Sequence, residues 1–173
     1  MINYIESRGI DIGIAKKFCR QIEYTVGNAH YSSIGFENII GGWEIRDKSF
    51  KGATVKAISV INHSSSSVCV FEGFFDLLSF VQLNIDSFVN YDLLSLNSLS
   101  LIKKSVTLLE RYQNIILFLD NDERGREVAY SLSQSFGAKV DDRSNMYSSF
   151  KDLNEYLTTK KGKGGGYSEI VAM

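Results

Sequence analysis

The sequence predicts an α/β protein: a parallel sheet flanked by helices, preceded by a small α+β region. Three observations predict it. The short apolar runs Val68 to Phe71 and Ile115 to Leu119 read as strands buried on both faces, as in parallel sheets. Segments with helical periodicity, Phe74 to Leu83, Ser98 to Tyr112 and Glu123 to Phe136, alternate with such runs. Before residue 62 the pattern differs, with short segments broken by glycine and asparagine, as in antiparallel strands.

Composition sets the bounds. The 173-residue chain is 44% hydrophobic and 23% charged, enough to bury a core without covalent staples. Its net charge is -1, so any contact with nucleic acid must come from locally clustered positive charge. Cys19 and Cys69 lie far apart and make no metal-ligand spacing, and a reduced, cytoplasmic chain is the simple reading. No apolar run is long enough to span a membrane, and there is no cleavable signal.

In chain order, Asp11 is placed to cap a helix from Ile12 to about Ile22, whose Ile14, Ala15, Phe18 and Ile22 recur at helical spacing. Tyr31 to Phe36, Trp43 to Arg46 and Val55 to Val60 read as strands of a small antiparallel sheet, divided at Glu37-Asn38, Gly41-Gly42 and Lys51-Gly52. Arg46, Lys48, Lys51 and Lys56 cluster there. They read either as a solvated face or as a groove for phosphates. Asn62 to Ser67 reads as a polar boundary, with His63 and His30 as ordinary loop or surface residues. The predicted division is therefore 1–63, 64–158 and a flexible, basic, glycine-rich tail over 159–173.

Beyond the boundary, Val68 to Phe71 is a strand ending at Glu72-Gly73, and Phe74 to Leu83 is a helix. Asp86 to Tyr91 reads as a second strand and Ser98 to Tyr112 as a helix with Leu101, Ile102, Val106 and Leu109 on one face. Ile115 to Leu119 is the third strand, and Glu123 to Phe136 is a helix closed by Gly137. Ala138 to Asp141 is a fourth strand and Lys151 to Thr158 begins a last helix. Strands alternating with helices imply right-handed crossovers.

Three groups of acids fall at strand ends or near the end of the sheet: Glu72 with Asp76, Asp120 with Asp122, and Asp152 with Glu155. Asp122 alone reads equally well as the cap of the helix at Glu123. Together the groups say more. Open α/β sheets bind ligands at the carboxyl ends of their strands. Carboxylates gathered there repel one another and raise one another's pKa. A hard divalent cation compensates them: Mg²⁺ takes oxygen ligands and bridges to phosphates. Zinc has no cysteine or histidine cluster to bind. The residues therefore argue for Mg²⁺ or Mn²⁺ and for phosphate chemistry. Gly73 and Gly125 stand where a ligand or close packing needs room, and Arg124 and Arg126 face phosphates or solvent.

These residues resemble a known pattern. Val70-Phe71-Glu72-Gly73-Phe74-Phe75-Asp76 is similar to the first Toprim motif, a strand ending in Glu-Gly with Asp four residues after the Glu. Asp120-Asn121-Asp122-Glu123-Arg124-Gly125 is similar to the second, Asp-x-Asp-x-x-Gly. Lys151-Asp152-Leu153-Asn154-Glu155 resembles the acidic third element of bacterial and phage primases. Residues 1–60 resemble, more loosely, the subdomain before Toprim in DnaG-type primases, and the whole is most similar to short primase-like proteins of mobile elements. The resemblance implies a Toprim, Rossmann-like sheet and a DNA primase core that makes RNA primers on single-stranded DNA from NTPs. It implies Glu72, Asp120 and Asp122 as catalytic residues, and Glu72, Asp76, Asp120, Asp122 and Asp152 as the Mg²⁺ or Mn²⁺ site. It implies Arg46, Lys48, Lys51, Lys56 and Arg124 as binders of nucleotide or template. Asn121 replaces the glycine usual between the two aspartates, which is read as tolerance of turn geometry. Asn154 replaces an aspartate and leaves the third metal-binding group a charge short. The zinc-binding domain and the trailing helical segment of such primases have no counterpart in this sequence. The resemblance thus implies a fragment, or a chain working with a zinc-binding partner, a helicase or a relaxase. The acids alone suit metal-dependent cleavage of nucleic acid equally well, and a non-catalytic binding module is the third reading.

Overall fold

The structure, a computed structural model, describes residues 2–84 and 86–162. It contains two sheets. The first is antiparallel, with β1 (Cys19–Val26), β2 (Ala29–Glu37), β3 (Trp43–Arg46) and β4 (Lys51–Ala53) in sequence order. Two short helices, α1 (Ile2–Ser7) and α2 (Ile12–Phe18), precede it. The second sheet has the order β5-β7-β6-β8-β9. Its strands are β5 (Ser59–Ile61), β6 (Ser67–Phe71), β7 (Asp92–Ser95), β8 (Asn114–Phe118) and β9 (Val140–Asp142). All are parallel except β5, which runs antiparallel to β7 at one edge. Helices α3 (Phe74–Leu83), α4 (Ile102–Leu109), α5 (Glu123–Phe136) and α6 (Leu153–Gly162) complete the chain.

The central strands are apolar on both faces because both faces are covered. Cys69, Phe71, Leu93, Ile116 and Phe118 pack with buried residues of α3, α6 and the N-terminal helices. Val68, Val70, Leu94, Ile115 and Leu117 pack with Leu109 of α4 and with Ala129 and Leu132 of α5. The antiparallel sheet is joined to this body through Phe36, whose ring stacks on Phe74 of α3 at 5.3 Å. From β6 the chain moves to β7 on one side, then crosses to β8 on the other. Connections diverge at that point, and open α/β sheets have a ligand crevice there.

Several expected elements are shifted. The helix expected to reach Ile22 stops at Phe18, and Cys19 begins β1. Cross-strand pairing from Cys19↔Phe36 to Val26↔Ala29 overrides the local helical spacing, and Gly27-Asn28 forms the turn between the strands. Lys51-Gly52, read as a turn, is part of β4. Of Val55 to Val60, only Ser59 and Val60 are strand, and they pair in the second sheet. Phe88–Asn90, inside the expected strand Asp86 to Tyr91, is a 3-10 turn, and the strand is Asp92–Ser95. This strand begins and ends on polar residues. They are tolerated because Asp92 accepts from Tyr112 Oη at 2.7 Å and from the His63 and Ser65 amides at 2.8 and 3.1 Å. Ser95 Oγ donates to Asn97 Oδ1 at 2.7 Å. The expected helix Ser98 to Tyr112 is shorter, a 3-10 turn at Leu99–Leu101 leading into α4. The fourth strand starts two residues late, after a turn at Gly137–Lys139. Helix α6 runs to Gly162, and residues 163–173 of the expected tail lie outside the described residues.

Asp11 caps α2 as read, accepting from the Gly13 amide at 2.7 Å and the Ile14 amide at 3.3 Å. Asp11→Ala is expected to cost about 1 kcal/mol of stability, measured as a lower urea midpoint with an unchanged slope.

Candidate active site

Strands β6 and β8 lie side by side in register, with Phe71 opposite Phe118. Their chains emerge together, so Glu72 and Asp120 follow at the same edge of the sheet. Asp76 sits in the first turn of α3 and is 8% exposed. It accepts from the Asn154 amide at 3.2 Å. Asn154 Nδ2 donates in turn to Arg8 O and to Ser79 Oγ, each at 2.8 Å. Asn154 therefore ties α6 to α3 and to the turn after α1. Asp152 accepts from the Glu155 amide at 2.7 Å and so begins α6. Asp122 caps α5, accepting from the Gly125 amide at 2.9 Å, and it also lines the crevice described below. Asp122 is thus the cap of α5 and also part of the crevice wall.

The turn from Asp120 to Gly125 is held from several sides. A Cβ on Gly125 would lie 2.1 Å from the Asp120 carbonyl oxygen, so only glycine lets the helix close against the strand end. Asn121 does more than tolerate a turn. It is not among the residues with positive φ, and its amide donates to Lys151 O at 2.6 Å. Its Nδ2 reaches the carbonyl oxygens of Ser144, Tyr147 and Phe150 at 3.3, 3.0 and 3.0 Å. Arg126 Nη1 donates to Asn121 O at 2.8 Å, and Tyr147 Oη to Leu119 O at 2.7 Å. The reason for Asn121 is thus hydrogen bonding across to the segment before α6, which brings Lys151 and Asp152 to the acids.

Electrostatically these acids act as one group. Burial pushes the Glu72 carboxyl up to about 7, and the charges of Asp120 and Asp122 push the same way, against Lys51 and Lys151. Burial also pushes Asp76 well above the ordinary carboxylate range, with Asp152 and Asp120 adding to it. Asp120 is raised by burial and by Asp152, while Lys151, whose Nζ lies 3.5 Å from its Oδ2, opposes the rise. Glu72 Oε2 is buried and has no hydrogen-bond partner. Burying such an atom costs free energy unless something fills its place. Every candidate ligand is a hard oxygen, which suits Mg²⁺ or Mn²⁺ and not zinc. Among the described residues, no three acidic, histidine or cysteine side chains are drawn together closely enough to enclose an ion.

The acids face the bases across two crevices of about 410 and 420 Å³, which share Arg46, Lys51 and Glu72. One is also lined by Lys56, Asp122 and Arg124. The other is lined by Lys48, Asp76, Asp120 and Asp152. Glu72, Asp76, Asp120, Asp122 and Asp152 are therefore brought to these two crevices with Arg46, Lys48, Lys51, Lys56 and Arg124, whereas Glu155 accepts from the Lys151 amide and Arg126 donates to Asn121 O, and neither lines them. Arg46 is already engaged, donating to Ile45 O at 2.9 Å and Gly52 O at 3.2 Å and lying 3.7 Å from Glu44. Its guanidinium also covers the Phe74 ring, 5.6 Å from the centroid. Among the charged lining residues, Lys151, Arg8, Glu44 and Asp47 were not foreseen. Lys151 had a signal, its place beside Asp152. Arg8 had none: its carbonyl accepts from Asn154 Nδ2, 146 residues away, and its guanidinium lies 4.9 Å from the Phe75 ring centroid.

Gly125→Ala is expected to lower stability by about 2 kcal/mol, read from urea denaturation, because the added methyl meets backbone. A second expectation concerns pH. The folded chain keeps the Glu72 proton to about 7, whereas the ordinary value is 4.5. Between these values the folded state holds more protons than the unfolded state, so stability falls as pH rises through the window. Glu72→Gln, uncharged throughout, is expected to flatten that part of a Tm-against-pH profile and to melt higher than the parent above pH 7.

Comparison with known proteins bears on the fold. Residues 1–55 match a domain of unknown function, DUF8464. A search of the curated proteins returned no match. Among solved structures, the fold is shared with the primase fragment of the bacteriophage T7 primase-helicase protein, with a TM-score of 0.66 and 23% identity over 92% of this chain and 69% of that one. It is also shared with a chain from the structure of T7 lagging-strand DNA polymerase interacting with primase domains of two gp4 subunits bound to an RNA/DNA hybrid and dTTP. That match has a TM-score of 0.64 and 22% identity over 91% of this chain and 85% of that one. Residues 69–157, which carry both the strand-end acids and the helices that hold them, match the Toprim-like family, and the chain belongs to it.

Proposed function

We propose that the chain is the catalytic core of a DNA primase, a nucleotidyltransferase that joins ribonucleotides into short RNA primers on single-stranded DNA. The observation that carries the reading is Glu72. Its carboxyl is raised to about 7, one of its oxygens is buried without a partner, and Asp120 and Asp122 stand beside it. In this reading Glu72 acts as general base and takes the proton of the primer 3′-hydroxyl, whose oxygen attacks the α-phosphorus of the incoming NTP and displaces pyrophosphate. Glu72, Asp120 and Asp122 would hold Mg²⁺ or Mn²⁺, with Asp76 and Asp152 completing the acidic site. A bound divalent ion supplies positive charge against the carboxylates and the triphosphate. Lys48, Lys51, Lys56 and Arg124 orient phosphates along the crevices they line. Arg46, held by backbone carbonyls, keeps β3 and β4 in position beneath them. Substrate positioning and fixed charge then lower the barrier. Single-stranded DNA and NTPs are the substrates, and a separate zinc-binding domain, a helicase or a relaxase are the partners this reading calls for.

The test supplies single-stranded DNA, NTPs and Mg²⁺ or Mn²⁺, with and without a zinc-binding partner. Templated RNA products are expected. Glu72→Gln and Asp120→Asn are each expected to reduce them by about 10²-fold or more while the protein remains folded. No templated product in any combination overturns the reading. Nicking of DNA without NTPs reassigns the same acids to hydrolysis, and full activity in both variants reassigns the chain to a non-catalytic binding module.

A further inference from the structure

The antiparallel sheet carries a row of rings that neither core absorbs. Tyr24 and Tyr31 face each other across β1 and β2. Their rings stack, with centroids 5.4 Å apart and planes 19° apart. Phe50 extends the row, 5.8 Å from Tyr24. Tyr31 is 44% exposed and Phe50 is 43% exposed. Phe50 also lines the crevice that holds Asp120, together with the exposed Lys48 and Lys51.

A cross-strand aromatic pair stabilises a hairpin, and that accounts for Tyr24 with Tyr31. It does not account for Phe50. The turn that bears it is pinned by Asp47, whose carboxylate accepts from Ser33 Oγ at 2.8 Å and from the Ser49 and Phe50 amides at 2.7 and 2.8 Å. The ring lies against β4 at Gly52, where a Cβ would come within 2.5 Å of it. The fold thus holds in place a ring that stays almost half open to water and adds little to any core. Rigid, exposed rings beside unpaired cations are what single-stranded nucleic acid needs: bases stack on the rings while lysines follow the phosphates.

We propose that Tyr24, Tyr31 and Phe50 form a stacking platform for the bases of single-stranded nucleic acid, leading to the acidic crevice. The proposal rests on the primase reading and adds the surface that grips the template beyond the reacting nucleotides. Stacking accepts every base, because every base has a π-face, so the platform holds the strand without reading its sequence. Lys48 and Lys51 bear the phosphates at the point where the row meets the crevice.

The test is binding of a fluorescein-labelled oligothymidylate at low ionic strength, followed by anisotropy, without NTPs. Tyr31→Leu and Phe50→Leu keep apolar bulk but remove the π-face, and each is expected to weaken binding about tenfold while the chain stays folded, Tyr31→Leu melting somewhat lower because it also loses the cross-strand pair. Tyr31→Phe and Phe50→Tyr are expected to bind like the parent. A second measurement needs no variant: photocrosslinking of a 4-thiothymidine oligonucleotide to the parent chain is expected to map to Tyr24, Tyr31 or Phe50. Equal affinity of the parent and the leucine variants, with crosslinks elsewhere, overturns the proposal and leaves the reading of the acidic site standing. A parent chain that binds no oligonucleotide removes both.

Discussion

Like charge gathered at the ends of two neighbouring strands is the constraint on which the rest of this structure turns. Strands β6 and β8 are adjacent and in register, so the acids that follow them emerge together. Burial and mutual repulsion both favour protonation there, and Glu72, Asp76 and Asp120 are all raised. A fold that places acids in this way must either neutralise them, by hydrogen bonds and nearby cations, or leave a place for an ion. Elements of this fold supply much of that neutralisation.

Neutralisation comes from the segment before α6. Asn121 fastens that segment to the end of β8 through four hydrogen bonds, one from its amide and three from its side chain. This brings Lys151 within 3.5 Å of Asp120 and sets the Asn154 amide on Asp76. The two asparagines that depart from the family pattern are therefore structural ties. Neither adds a negative charge to a site already crowded with it. What stays uncompensated is Glu72, whose buried Oε2 finds no protein donor.

The antiparallel sheet supplies the opposite charge. Phe36 on Phe74 and Arg46 over the same ring dock it beside the acids, so that β3, β4 and their turn form the far wall of both crevices. A chain with a net charge of -1 thereby presents a mixed site, acidic where the strands end and basic opposite. The charge that matters to a phosphate is this local arrangement and not the total.

Much of this was legible in the sequence. Apolar runs buried on both faces marked β6 and β8 to within a residue, and α3 and α5 have the expected bounds, although α3, expected to be amphipathic, is buried on nearly every side. The strand-end position of the acids and the cap at Asp122 could also be read, because strand ends and capping are local properties of the chain. Other features were decided only by tertiary structure. The end of α2 and the position of β7 depend on strand partners distant in sequence, and local spacing pointed elsewhere. Asp92 can begin a buried strand only because Tyr112, His63 and Ser65 satisfy it. Arg8, Lys151 and the pull of Asn121 on the α6 segment join residues far apart along the chain. The sequence by itself determined the fold class and the chemical type of the site, since both follow from pattern and residue identity. Which charges meet, and which oxygen is left without a partner, followed only from the packing of one segment against another.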